Sequence, residues 1–434
     1  MKVVHIAYSF GRESAASRLI LGLGSQGVEV SAIAEHGRGV NFELYSLRRS
    51  LWRKGIRKFF PALENVLGNM LEKVFFRSYP SRDTSLPWSP GVSKVSLTSR
   101  QLEDIRCDIA HIHWISNGFP GLKSLHRLNV PIVWTFHDVW PITAGCHCDL
   151  GCKKWLSGCL ACPQLGNPAL GIDWAHRIFL RKLKRIAKIK NLEIIAPSAW
   201  LGDMVEKSPM FAGRKVHVIH NCIDLKAFKP WEKLKARELL GLDPTKKIVI
   251  FGASGGHLVA YKGFDLLVDA LNLFYARLRR EGKNASAYQL LVFGSSQAVE
   301  VNLPFDLVSV GVIDDDVHMR ALYSAADVLV APSRQDNFPN ILVEAMACGL
   351  PVVAFSIGGI TEIVEHRRNG YLAKPFSVED LCEGIGYIID DLDRSDSLRQ
   401  SARAWAEKNV SYSSVCEKHE AVYRSVIEKG RRTS

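Results

Sequence analysis

The sequence lacks any apolar run of the roughly 18 residues that a membrane-spanning helix needs. Its start, MKVVHIAYSF, has neither the apolar core nor the cleavage site of a secretory leader, so a cytoplasmic chain is expected and the sequon Asn284-Ala285-Ser286 carries no meaning. There is no low-complexity tract and no short-period repeat, which excludes a disordered or solenoid chain as the default. Acidic residues are the scarcer sign, 44 against 56 basic, and the formal charge of +12 favours anionic partners without choosing among membrane, nucleotide and nucleic acid.

The composition, 47% hydrophobic and 23% charged over 434 residues, suits a globular protein of two domains of roughly 200 residues each. Short apolar runs at Lys2 to Ala7, Val28 to Ala34, Ile109 to His113, Ile132 to Phe136 and Glu193 to Ala196 alternate with helical patterns. A second series follows at Lys247 to Gly252, Gln289 to Phe293, Val308 to Val310, Val328 to Ala331 and Val352 to Phe355, with a helix over Asp265 to Leu278. That alternation predicts an α/β protein of two Rossmann-like units with parallel sheets. Turn residues and charge place the linker at Asn221 to Pro244, giving a first lobe over 1–224, a second over 225–410 and a terminal helix within 411–434.

Basic residues gather at Arg48 to Arg82, where Arg53, Lys54, Arg57 and Lys58 mix with Trp52, Phe59 and Phe60, and at Arg177 to Lys190. The first has the pattern of a helix lying on an anionic leaflet, and equally that of a solvated face over a partly buried aromatic side.

The most informative stretch is VLVAPSRQDNFPNILVEAMACGLP, Val328 to Pro351. It reads as strand, loop and helix, with Pro339 near the helix start and Gly349 as its stop. Loops at the carboxyl edge of a parallel sheet face ligands, and a helix start there favours anions, so Asp336 and Glu344 could address one polar ligand. Gly252-Ala253-Ser254-Gly255-Gly256 and Lys262-Gly263 follow another strand, where glycines permit a close approach of phosphate and a lysine can neutralise it. A further turn, Gly358-Gly359-Ile360-Thr361-Glu362, follows the next strand. In the first lobe His111, His113 and His137 end two strands and could reach one edge, with hydrogen-bonded core histidines as the alternative for His111 and His113. Five of the ten cysteines fall within Cys146 to Cys162. Paired spacing makes Cys146, Cys152, Cys159 and Cys162 a candidate structural zinc set, with His147 and Cys148 as rival ligands and reduced buried thiols as the alternative.

These motifs resemble the retaining glycosyltransferases of family 4, and the segment Trp134 to Leu165, with Trp140-Pro141-Ile142-Thr143 and Cys162-Pro163-Gln164-Leu165, resembles the exopolysaccharide or colanic-acid-type branch. The resemblance implies a GT-B fold with a cleft between two lobes and a last helix crossing back to the first. It assigns donor binding to Gly252, Lys262, Asp336, Asn337, Phe338, Asn340 and Glu344, and catalysis to Asp336, His137 and Lys262. Glu344 would hold ribose hydroxyls, Asp336 the sugar hydroxyls and Lys262 the departing diphosphate, while His137 orients the sugar. Gly11, Arg12 and His113 would lie on the acceptor side, near a saccharide or lipid-linked saccharide for surface polysaccharide synthesis. No Asp-x-Asp pair stands among these donor residues, so no divalent ion is expected to be required. Departures are Asp336 where most members have Glu, Asn337-Phe338-Pro339-Asn340 where many have Gly-Phe-Gly, and Ala253 where an Arg is usual. They motivate a rival reading as an inactive scaffold of the same fold. A nucleic-acid binder built on the Cys cluster and the basic surface is the other rival.

Overall fold

The runs Ile109–Ile112, Ile132–Thr135, Val328–Ala331 and Val352–Phe355 are buried along their whole length, as strands covered by helices on both faces must be. The computed structural model describes residues 1–11, 14–38, 44–46, 59–92, 97, 106–169, 171–253, 256–297, 299 and 301–433. Met1–Cys222 and Tyr412–Ser434 form one unit and Ile223–Ser411 a second.

The first unit holds β1 (Lys2–Gly11), β2 (Glu29–Arg38), β3 (Leu44–Ser46), β4 (Ile109–Ile112), β5 (Ile132–Thr135), β6 (Leu192–Ala196) and β7 (Val216–Val218). They pair in parallel in the order β3-β2-β1-β4-β5-β6-β7. The second holds β8 (Lys247–Gly252), β9 (Tyr288–Phe293), β10 (Asp306–Gly311), β11 (Val328–Ala331), β12 (Val352–Phe355) and β13 (Gly370–Ala373), parallel in the order β10-β9-β8-β11-β12-β13. Strand order reverses between β1 and β4 in one sheet and between β8 and β11 in the other. At such a switch point the flanking loops part, leaving a crevice at the strands' carboxyl ends.

Every run read as a strand is one. β3, β7 and β13, which the sequence reading missed, include both edges of the first sheet and one of the second. An edge strand pairs on one side only and can be short, so β7 is three half-exposed to exposed residues with little apolar signal.

The terminal helix Tyr412–Thr433 packs within the first unit, burying Val415, Cys416, Val422, Tyr423 and Val426 with Val3, Ile109 and Val133. Lys429 Nζ and His217 Nε2 meet the two oxygens of Glu193 on β6 at 2.5 and 2.7 Å and fasten the end of that helix.

The segment expected to be a linker is mostly folded structure of the second unit. The chain changes unit after Cys222, and Lys233–Leu239 is a helix. Phe228 is buried in the second unit's core. Arg237, 3% exposed, donates to the carbonyls of Ala325 at 3.0 Å and Pro244 at 2.6 Å and to Asp327 Oδ2 at 3.0 Å. Replacing it takes a donor from two carbonyls and one of two cations from Asp327, which keeps Lys233, so Arg237→Ala is expected to lower unfolding stability by about 1–3 kcal/mol. A change below about 0.5 kcal/mol in urea denaturation would return this segment to the status of a linker.

Candidate active site

In the second unit the loop after β8 folds back onto the end of β11. Gly263 has φ +74°, and a Cβ there would stand 2.0 Å from the carbonyl oxygen of Pro332, so only glycine allows the approach. The approach sets Lys262 Nζ 2.6 Å from Asp336 Oδ2. Asp336 also accepts from the Ser333 hydroxyl at 3.3 Å and from the Asn337 N–H at 3.1 Å. From the β12 side Gly359 N–H donates to the Asp336 carbonyl at 3.2 Å, and a Cβ on Gly358, φ +51°, would fall 2.2 Å from that oxygen. The second glycine turn therefore positions the backbone of Asp336.

Glu344 lies within the helix Asn340–Ala347, 8% exposed, and accepts from the Tyr323 hydroxyl at 2.7 Å. Glu344 is therefore not part of a solvated helix face. Pro339 caps this helix rather than opening it, and Asn337 and Phe338 are buried beside Asp336. Gly252 has a structural reason of its own: a Cβ there would lie 2.3 Å from the Phe293 ring. The Ala253 position leaves one cation fewer than the resemblance implies. Arg334 does not replace it, since its guanidinium is paired with Asp265 and donates to the Ala260 carbonyl, while its own N–H holds the Tyr261 carbonyl at 2.7 Å. Arg334 and Tyr323 are positioning residues that sequence reasoning missed. Two Asp-x-Asp spacings do occur, Asp314 to Asp316 and Asp391 to Asp393, and each spans a helix start where Asp315 or Asp391 caps the backbone.

The first unit's switch point is built of imidazoles. His5 on β1 and His111 on β4 are register partners, and His113 follows β4. His5 Nδ1 lies 2.9 Å from His113 Nε2, and His113 Nδ1 lies 3.1 Å from His137 Nε2. His111 is held by Tyr423 at 2.6 Å and Thr135 at 2.7 Å. His137, His113, His220 and His419 line a small cavity with Asn221 and Thr135. Expected on the acceptor side, His113 is 2% exposed with both nitrogens engaged, and belongs to this buried chain. Gly11 is exposed at the end of β1, and Arg12 lies outside the described residues.

Sequence profiles decide the family. One described as Glycosyltransferase Family 4 matches residues 11–227, and one described as Glycosyl transferases group 1 matches residues 245–391. D-inositol 3-phosphate glycosyltransferase 1 of Catenulispora acidiphila is 31% identical over 335 residues, 75% of this chain and 73% of that protein. The chain belongs to the family 4 glycosyltransferases. A protein of Escherichia coli (strain K12) named as a colanic acid biosynthesis glycosyl transferase is 27% identical over 59% of this chain and 62% of its own length. The glycosyltransferase fold is GT-B. Sucrose-phosphate synthase from Thermosynechococcus elongatus superposes with TM-score 0.64 at 18% identity, over 99% of this chain and 100% of that one. Anabaena HepE in complex with UDP and glucose gives 0.60 at 16% identity, over 98% and 100%.

In this glycosyltransferase the turn just before the Cys-rich segment is held by Lys182, one of the basic run Arg177 to Lys190. The residue is 4% exposed, and its ammonium donates to the carbonyls of Trp140 at 2.5 Å and Thr143 at 2.8 Å and sits 3.7 Å over the Trp140 ring. Burial pulls its pKa down to about 7. His147, a rival zinc ligand, has both nitrogens engaged, by Asp138 at 2.7 Å and Ser89 at 2.9 Å. Burial raises the thiols of Cys146, Cys159 and Cys162. Among the described residues the three potential ligand atoms that fall within 4.8 Å of one another belong to His5, His111 and His113, not to the four cysteines.

Burial also lowers the histidines, His5 to about 3 and His137 and His419 to about 4, with His111 and His113 well below 6.5. Folded values below the unfolded one mean that the folded unit binds fewer protons, so this stability is complete above pH 6.5 and lost as pH falls toward 4. The melting temperature should hold between pH 8 and 7 and decline from about pH 6, above the range where carboxylates protonate. A profile flat down to pH 4.5 contradicts the neutral cluster.

Proposed function

We propose that this glycosyltransferase moves a sugar from a nucleoside diphosphate to a hydroxyl of a saccharide or lipid-linked saccharide, with retention at the anomeric carbon. The observation that carries this reading is the 2.6 Å approach of Lys262 to Asp336 across the β8/β11 switch point, with Glu344 buried in the helix that follows the same loop. Lys262 meets the diphosphate, Asp336 the sugar hydroxyls and Glu344 the ribose hydroxyls. The bond from the anomeric carbon to the diphosphate oxygen breaks, the acceptor oxygen bonds to that carbon, and the acceptor proton leaves with the diphosphate. No protein base is required, and the rate comes from positioning and from charge placed where negative charge develops. A divalent ion is not required, because Lys262 supplies the cation at the leaving group. Support comes from relatives named for transfer to inositol phosphate and for colanic acid biosynthesis, and from a fold shared with a protein solved with UDP and glucose.

The assay offers UDP-, GDP- and ADP-sugars with a simple saccharide acceptor in the presence of chelator. One donor class should turn over to a product of the donor's own anomeric configuration, and Asp336→Asn should cut the rate about a hundredfold. An inverted product, or turnover only with added divalent ion, overturns the mechanism. No turnover with any donor favours the scaffold reading.

A location for the acceptor is suggested by the helix Phe59–Arg77. Val66, Leu67, Met70, Leu71 and Val74 recur at helical spacing and are 48–63% exposed. Six basic residues within 48–58, outside the described residues, precede it in sequence. No helix among the described residues is long and apolar enough to cross a membrane. We therefore propose that this face lies on an anionic leaflet, where apolar insertion and charge act together. The protein should sediment with vesicles containing anionic lipid, and Leu67→Glu with Leu71→Glu should release it. Unchanged sedimentation of that variant rules the face out.

A further inference from the structure

The buried histidines of the first unit form a directional chain. Its links are His5 Nδ1 to His113 Nε2 at 2.9 Å and His113 Nδ1 to His137 Nε2 at 3.1 Å. His5 and His113 are 0% and 2% exposed, and His5 Nε2 has no hydrogen-bond partner. A neutral imidazole has one N–H and one lone pair, so each ring that donates at one nitrogen accepts at the other. Two polarities satisfy both links. If His137 donates inward, His113 donates to His5 and the chain ends on a buried N–H with no acceptor. If His5 donates outward, the chain ends on a buried lone pair. Orphaned N–H groups are the rarer and costlier of the two, so the outward polarity is favoured.

We infer that His5 and His113 are positioning residues that hold His137 as its Nδ1–H tautomer, so that its second ring nitrogen is a hydrogen-bond donor and never a base. Burial keeps all three rings neutral at pH 7, which removes the doubly protonated form that could donate in both directions. A metal on His5, His111 and His113 competes with this arrangement. One nitrogen of each falls within 4.8 Å of the others, but His111 and His113 already use both of theirs, and binding a metal would break those hydrogen bonds. A donor at His137 suits the oxygen of a sugar hydroxyl, and it agrees with an acceptor proton that leaves with the diphosphate. This consequence rests on the proposed sugar transfer and on the role that the family resemblance implies for His137; the tautomer itself does not.

The test is the nitrogen spectrum of the full-length protein labelled with 15N-histidine, assigned with His5→Leu, His113→Leu and His137→Ala. In the wild type the Nδ1 of His137 should show a protonated-type shift and Nε2 an unprotonated one. His5→Leu should mix the two tautomers at His137 and slow sugar transfer about tenfold, with nucleotide affinity unchanged. His5→Asn, whose amide N–H stands near the position of Nδ1–H, should restore both. A wild-type His137 protonated on Nε2 overturns the inference without any variant, as does a tautomer indifferent to His5→Leu in a folded protein. Zinc uptake that erases these shifts at stoichiometric metal also overturns it. If the tautomer is as expected and His137→Ala still transfers sugar at the wild-type rate, the relay stands and the assignment of His137 to the sugar falls.

Discussion

The second unit depends on a steric constraint: two loops, one after β8 and one after β11, must approach within hydrogen-bond distance where the sheet reverses its order. Side chains would forbid this. Gly263 against the Pro332 carbonyl and Gly358 against the Asp336 carbonyl leave no room for a Cβ, and both adopt backbone angles that favour glycine. The Lys262–Asp336 pair, 2.6 Å, follows from that approach. So does its chemistry. At 21% and 14% side-chain exposure the pair keeps a route to solvent yet is screened less than a surface ion pair, and in the proposed reaction the diphosphate shares the ammonium with Asp336.

The two units solve the switch point with opposite electrostatics. The second places a cation and two carboxylates there. The first fills it with rings that burial keeps neutral, tied to the terminal helix through His111 and Tyr423. In the proposed reaction the charged groups of the second unit address the diphosphate, the sugar and the ribose.

Local patterns read well from the sequence because they are one-dimensional. Val328 to Ala331, Pro332 and Gly349 announce strand, break and helix stop within a single window, and Asp336 and Glu344 stand out against that frame. What escaped depends on partners distant in the chain. Nothing around Tyr323 says that its hydroxyl will meet Glu344, and nothing around His5, set in a strand of aliphatic residues, says that it will meet His113. Lys182 sits in a run of cations whose density reads as surface, yet it alone turns under Trp140. Edge strands escaped for a different reason, since half of their backbone pairing and much of their apolar burial is absent.

In the proposed reaction the β8/β11 crevice binds a nucleoside diphosphate through Lys262 and Glu344. The direct test is calorimetric titration of UDP, GDP and ADP, without added metal, into the wild type, Lys262→Ala and Glu344→Ala. One nucleotide class should bind, weakened about tenfold to a hundredfold by either substitution, the worth of one charge-assisted contact. Equal affinity in all three proteins, or none for any nucleotide in the folded wild type, would contradict it.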